Sequence, residues 1–288
     1  MPAGDIIRGP AMLVERWQIL AEESGSSTQD EARPAAALID ALRPLCFQGP
    51  DVLNFLQGYL TIDLEQLTND KPRLAALTNL KGRVVATGWC QARGSDRVDW
   101  LIHADLTGPV SEFMARYLAF SKTALVEPEV GSLAVGVIDA EGAPSARLIC
   151  TDEELDTLAA NHHLKEAAHW YTACIEQGMV LITPETTEAH LPQMIGLVEA
   201  GAVDFDKGCY LGQEVVARAQ HRGEVKRRLE RLTGISDRLP PGTPLTDADG
   251  KELGSVLMCE PPLCLAVVRQ PSAPGYRAAE QQLTTVSA

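Results

Sequence analysis

At 288 residues the chain is too long for one small domain and has material for two or three modules with a sizeable core. An apolar share of 45% beside 22% charged residues is that of a soluble globular protein and excludes disorder as the main state. The formal charge of −14 argues against a surface that binds polyanions everywhere, because phosphate recognition needs concentrated lysine and arginine.

The first forty residues hold an amphipathic piece, Met12 to Glu22, then Ser24-Gly25-Ser26-Ser27, then an alanine-rich run from Ala35 to Leu42. This is the pattern of a mobile leader and polar linker, assigned to residues 1–44. From Leu45 the pattern sharpens. Asp51 is placed to cap a short helix, Val52 to Gln57, with Leu53, Leu56 and Leu60 facing the core. Leu74 to Leu80 and Arg83 to Cys90 read as strands joined by a tight turn at Lys81-Gly82. A turn at Arg93 to Asp96 leads into a strand from Val98 to His103. A helix from Pro109 to Phe120 follows, and then strands at Ala124 to Val126 and Ser132 to Ile138. Hairpins interrupted by single helices indicate a mixed α+β body with antiparallel pairing.

Thr151 and Glu154 form a capping box for a helix extending toward Ala168. On it His162, Glu166 and His169 could share one face, but the spacing is not that of a His-Glu-x-x-His site, and the stretch reads as a solvated face. Trp170 to Gly178 leads through an irregular segment, Pro184 to Pro192, toward the most unusual part of the chain. Beyond Lys226, Pro240-Pro241-Gly242 and Asp247 to Gly250 punctuate short apolar runs, which suggests a small antiparallel β module over 224–288. Residues 45–223 are left as the body.

The unusual stretch is Asp204-Phe205-Asp206-Lys207-Gly208-Cys209-Tyr210-Leu211-Gly212-Gln213-Glu214. So many polar groups contribute little burial and cost desolvation unless each finds a partner, so the stretch reads as a site. Gly208 and Gly212 allow a tight turn or a close approach, and Gly212 can cap a helix running toward Gln220. Cys209 would then lie near the positive end of that helix with Lys207 beside it, a setting that favours a thiolate. The alternative is an inert thiol at a loop-to-helix junction. Arg218, Arg222, Lys226, Arg227, Arg228 and Arg231 follow closely. They read as a solvated face, with a nucleic-acid contact as the alternative. The seven cysteines form no Cys-x-x-Cys pair and no zinc or ferredoxin spacing, so no metal site is expected and a reducing compartment is. No window of about 20 apolar residues occurs, and the expectation is a cytoplasmic protein without a membrane partner.

Lys207-Gly208-Cys209-Tyr210-Leu211-Gly212-Gln213-Glu214, followed by Ala217-Arg218 and Arg222-Gly223, resembles the signature of the YgfZ-type folate-binding proteins, relatives of the glycine-cleavage aminomethyltransferase, or T-protein. Phe55-Leu56-Gln57-Gly58 with Thr61 and Asp63, Lys81-Gly82-Arg83-Val84, and Leu191-Pro192-Gln193 add to the resemblance, which covers roughly residues 45–232. It implies a T-protein-like fold around a central cavity that holds tetrahydrofolate or another reduced folate. It also implies an accessory role for iron-sulfur enzymes or cluster-assembly proteins, including enzymes that thiolate tRNA. In the T-protein an aspartate on the strand after the Gly-Gly turn serves catalysis, but Arg83 to Trp89 holds no carboxylate. A proton-transfer role needs a titratable group within reach, so a conventional aminomethyltransferase is not expected. Folate needs apolar walls, a few placed polar groups and a cation. Phe55, Gln57, Arg83, Trp89, Gln193, Lys207, Gly208, Tyr210, Gly212, Gln213 and Glu214 are the expected binding residues, with Cys209 as the reactive thiol and Lys207 as its activator. A one-carbon transferase and a tRNA-binding module are the alternatives.

Overall fold

The computed structural model describes residues 10–24, 34–69, 71–222, 225–269 and 275–286. Its helices are α1 (Pro10–Ser24), α2 (Val52–Gln57), α3 (Thr107–Leu118), α4 (Asp152–Asn161), α5 (Ala167–Glu176) and α6 (Gln213–Arg222). The strands of the body are β1 (Ala35–Leu38), β2 (Leu42–Gln48), β3 (Arg73–Thr78), β4 (Val84–Ala92), β5 (Arg97–His103), β6 (Ala124–Val126), β7 (Leu133–Ile138), β8 (Pro144–Ile149) and β9 (His163–Leu164). Those of the C-terminal part are β10 (Arg227–Thr233), β11 (Pro244–Thr246), β12 (Glu252–Glu260), β13 (Leu263–Arg269), β14 (Tyr276–Ala278) and β15 (Gln281–Thr285). One sheet of the body runs β3-β4-β5-β2-β6 and the other β8-β7-β1-β9, antiparallel except for the β1/β9 pair, while β10 to β15 close into a barrel. This is the mixed, largely antiparallel body with a small C-terminal barrel that the sequence leads one to expect.

β4 is buried at every position, so its sequence reads as an apolar run instead of an alternation. Successive side chains still point to opposite faces. On one face Thr87 donates its hydroxyl to the Val180 carbonyl and accepts from the Ile182 amide, and Trp89 meets Trp170 of α5 at 5.1 Å between ring centroids. Trp170 packs onto the backbone of the other sheet at Gly136, where a side chain would leave no room for the indole. Its Nε1 donates to the Ser145 carbonyl. The two sheets are thus locked through α5. After α2 the chain bonds to the edge strand β3, through the Leu60–Leu77 bridge and the Thr61 amide donating to the Ala76 carbonyl.

Two expectations are corrected. Residues 35–44 are not a leader: β1 sits in one sheet and β2 opens in the other, with Ala36 and Ala37 buried. Alanine has no strand preference, so the run carried no period-2 signal. α1 also packs down, burying Leu13 and Trp17 against α4 and the sheet. The linker beyond Ser24 and the boundary residue Gly223 lie outside the described residues. The capping box at Thr151 and Glu154 is present, but α4 stops at Asn161. There β9 pairs with β1, with the His163 amide donating to the Pro34 carbonyl and the Lys165 amide to that of Ala36. His162, Glu166 and His169 therefore share no helix face, and among the described residues no group of three His, Cys, Asp or Glu could hold a metal. No helix among the described residues is long and apolar enough to cross a membrane.

Candidate functional site

The stretch 204–214 folds as a loop that docks onto α2, the β3–β4 hairpin and α6. Asp204 opens it, pairing with Arg73 at 3.0 Å and accepting from the Asp63 amide. Thr61 reaches across to donate to the Ala202 carbonyl. Lys207 then turns inward. Its Nζ donates to the carbonyls of Gln57 at 2.9 Å, Leu60 at 2.6 Å and Ile62 at 2.6 Å, and lies 5.4 Å from the Tyr210 ring centre. Burial pulls its pKa down to about 8, with Asp63 and Asp204 opposing the shift. Three carbonyls need three hydrogens, which the ammonium supplies and the neutral amine does not.

Gly208 and Cys209 are exposed. Tyr210 is buried, which pushes its phenol up to about 12, and its hydroxyl has no partner among the described residues. Leu211 donates its amide to the Gly58 carbonyl, and its own carbonyl accepts from Thr78 Oγ1. Gly212 turns the chain at φ 81°, a left-handed conformation in which a Cβ would also lie 2.3 Å from the Asn79 carbonyl oxygen. Gln213 opens α6 and accepts from the Tyr210 amide, while Glu214 in the same turn is exposed. α6 then rests on the hairpin, where an added Cβ on Gly82 would stand 3.0 Å from Val215 Cβ. Gln193 ties it down by donating to the Val216 carbonyl at 2.9 Å.

A cavity of about 320 Å³ lies elsewhere, between the body and the barrel. Tyr171, Ile175, Leu181, Leu257 and Met258 supply apolar wall, and His103, Thr183, Arg238 and Cys259 supply polar atoms. The Arg238 guanidinium stands 5.8 Å from the Tyr171 ring centre and pairs with Glu260. Burial, partly offset by Arg238, raises the Tyr171 phenol. No aspartate or glutamate is among the lining residues.

No family model matches the chain. The tRNA-modifying protein YgfZ of Edwardsiella ictaluri (strain 93-146) is 29% identical over 242 residues, 70% of this chain and 72% of that one. The tRNA-modifying protein YgfZ of Escherichia coli O157:H7 is 31% identical over 231 residues, 67% of this chain and 69% of that one. The chain belongs to the YgfZ family. The crystal structure of the glycine cleavage system aminomethyltransferase T from Bartonella henselae has the same fold, with a TM-score of 0.67 at 13% identity over 93% of this chain and 88% of that one.

In this member of the YgfZ family the residues expected from the sequence fall into two groups. Gln57, Arg83, Gln193 and 207–214 meet around the hairpin, and Phe55 is buried in α2 beside them. Gln57 is fully engaged, accepting from the Leu64 amide and donating to Asp63, and Arg83 donates to the Ala189 carbonyl at 2.7 Å. Trp89 is apart from them, fully buried on the opposite face of β4 against α5. None of these residues lines the cavity. Its walls come from Ala41, His103, Tyr171 to Leu181 and the barrel, ordinary residues far apart in the chain.

Proposed function

We propose that the chain is a folate-binding accessory protein that works in tRNA modification by supporting iron-sulfur enzymes, and that its folate site is the cavity between body and barrel. The observation that carries this is a T-protein-like fold whose body-to-barrel cavity has no carboxylate on its walls. Its volume falls at the low end of small-molecule pockets, and apolar walls with a few convergent polar groups are what a pterin requires. Tyr171 would stack on the ring, Ile175, Leu181, Leu257 and Met258 would enclose it, and Thr183 would meet its polar edge. Arg238 would attract the glutamate tail. A reduced folate supplies a carrier for one-carbon units. The strand that bears an acidic group in the T-protein is here β4, buried and free of carboxylates, so no carboxylate on it can move a proton to or from a bound substrate.

Cys209 enters this reading from the signature side. It is the exposed cysteine among the described residues, and a soft thiol there can meet an iron or an oxidised sulfur species presented by a client protein. One thiol does not hold a conventional cluster, so any such contact is shared with the partner.

Calorimetry with tetrahydrofolate and 5-formyltetrahydrofolate on the full chain tests the site. Saturable binding is expected, weakened about tenfold or more by Tyr171→Ala through the lost stacking surface. Arg238→Ala should weaken polyglutamylated folate more than the free pterin. Absence of heat with every reduced folate would remove the folate reading. Turnover of an aminomethylated carrier protein would favour a transferase instead.

A further inference from the structure

Several arginines pair with a carboxylate within the fold: Arg16, Arg73, Arg93, Arg97 and Arg238. Another group does not. Lys81, Arg83, Arg218, Arg227, Arg228 and Arg269 make no ion pair among the described residues. They lie around the hairpin tip, α6 and the adjoining ends of β10 and β13. Lys81 stands at the hairpin tip beside Gly82, which packs on Val215 of α6, and Arg218 is exposed one turn further along that helix. Between α6 and β10 lies a groove of about 650 Å³ lined in part by Gln193, Glu199, Gln220 and Arg228. Arg227 and Arg269 sit directly opposite each other on β10 and β13, a like-charge pairing that costs stability. In a chain of net charge −14, such a concentration has no evident structural purpose.

His190 supplies the second observation. It is 4% exposed, and its ring nitrogen Nδ1 is buried without a partner among the described residues. Buried polar atoms are nearly always satisfied, and an orphan calls for a missing group. The Arg83 side chain passes beside it to reach the Ala189 carbonyl, and the fields of both Arg227 and Arg83 act on the ring. Burial, with these two cations, lowers the imidazole to about 4, so it stays neutral and can donate from Nδ1 in the corresponding tautomer. A guanidinium beside an unpartnered N–H donor is the chemistry that receives a tetrahedral oxyanion.

We propose that this face docks the phosphodiester backbone of a structured RNA, with one phosphate seated on Arg83, Arg227 and His190 and its neighbours on Lys81, Arg218 and Arg228. A lone phosphate would use the seat and leave the other cations idle. A backbone with repeated charges uses them all. None of these residues lines the folate cavity, so the two sites stand or fall separately.

The test is fluorescence anisotropy of an unmodified tRNA transcript with the full chain across a salt series. Binding is expected at about 50 mM salt, with log Kd linear in log salt and affinity lost by roughly a hundredfold or more at about 200 mM. Arg218→Glu with Arg228→Glu, both exposed and outside the hydrogen-bonded framework, should weaken binding at least about tenfold and flatten the salt slope by about two phosphate contacts. Arg83→Gln with Arg227→Gln should also flatten it, while Arg116→Ala on α3 should change nothing. Tetrahydrofolate affinity is read on the same variants and is expected to be unaltered. No tRNA binding at low salt overturns the proposal, as does equal weakening by Arg116→Ala. Displacement of the tRNA by a few mM inorganic phosphate at constant ionic strength would also overturn it, because a multidentate backbone resists a monodentate competitor.

Discussion

Lys207 and Cys209 are two residues apart and do opposite things. The ammonium is turned inward and holds three carbonyls of the segment 57–62, while the thiol stands in solvent. The other thiols are more buried: burial pushes Cys46, Cys150 and Cys264 up to about 12 and raises Cys90, Cys174 and Cys259 as well. The sequence made Lys207 an activator of Cys209, because neighbours in a chain are easily taken for neighbours in space. Its partners instead come from a segment about 150 residues earlier, a separation that no local pattern encodes. Lys207→Met should therefore lower the unfolding free energy by about 2–4 kcal/mol, since three buried acceptors lose their charged donor together. Cys209→Ser should stay within about 0.5 kcal/mol, as an exposed substitution does. Urea denaturation of the two variants decides it, and equal losses would show that Lys207 is not the clamp. In a deletion strain Cys209→Ser is expected to fail to restore iron-sulfur enzyme activity although folded normally. Full rescue would refute the reactive thiol.

At the scale of elements, the loop 204–214 joins pieces that the sequence could identify singly. The hairpin at Lys81-Gly82, the turn at Gly212 and the helix after it are all legible, because glycine placement and periodicity are local signals. Their mutual docking is not. Gly212 is the point where it becomes exacting: a side chain there must accept φ 81° and also displace the Asn79 carbonyl and the Thr78 hydroxyl that holds Leu211. Gly212→Ala is expected to cost about 2–3 kcal/mol from backbone strain and the close contact combined. Gly208→Ala, with open space around it, is expected to cost well under 1 kcal/mol. Thermal melts of the pair separate a signature glycine required by packing from one left free for contact. Trp89 illustrates the opposite limit. In a strand buried on both faces the alternation of apolar and polar residues disappears, so the side to which a given residue points cannot be read.

For the whole molecule the telling feature is how the barrel meets the body. Along β12 and β13 the alternation sends Val256, Cys264, Ala266 and Val268 into the barrel, where they pack with Leu232 and Tyr276. The residues between them, Leu257, Leu265 and Val267, together with Met258, belong to the core that contains β4 and α5. The Leu181 amide even points at the Met258 sulfur. The composition changes beyond Lys226, with short strands and proline-glycine turns replacing mixed elements, and β10 to β15 there close into a barrel. What composition could not disclose is that the outward side of β12 and β13, through Leu257, Leu265 and Val267, is apolar and completes the body's core. The 224–288 module is thus expected not to unfold by itself. Calorimetry should give one cooperative transition whose van't Hoff and calorimetric enthalpies agree. Met258→Ala, which opens both the core and the cavity wall, should lower that single transition by about 2–4 kcal/mol without splitting it. Saturating tetrahydrofolate at about a hundred times its Kd should raise it by about 2.7 kcal/mol. Two resolved transitions, with the ligand shifting just one of them, would mean that the barrel folds independently and that the seam is a docking surface between finished domains.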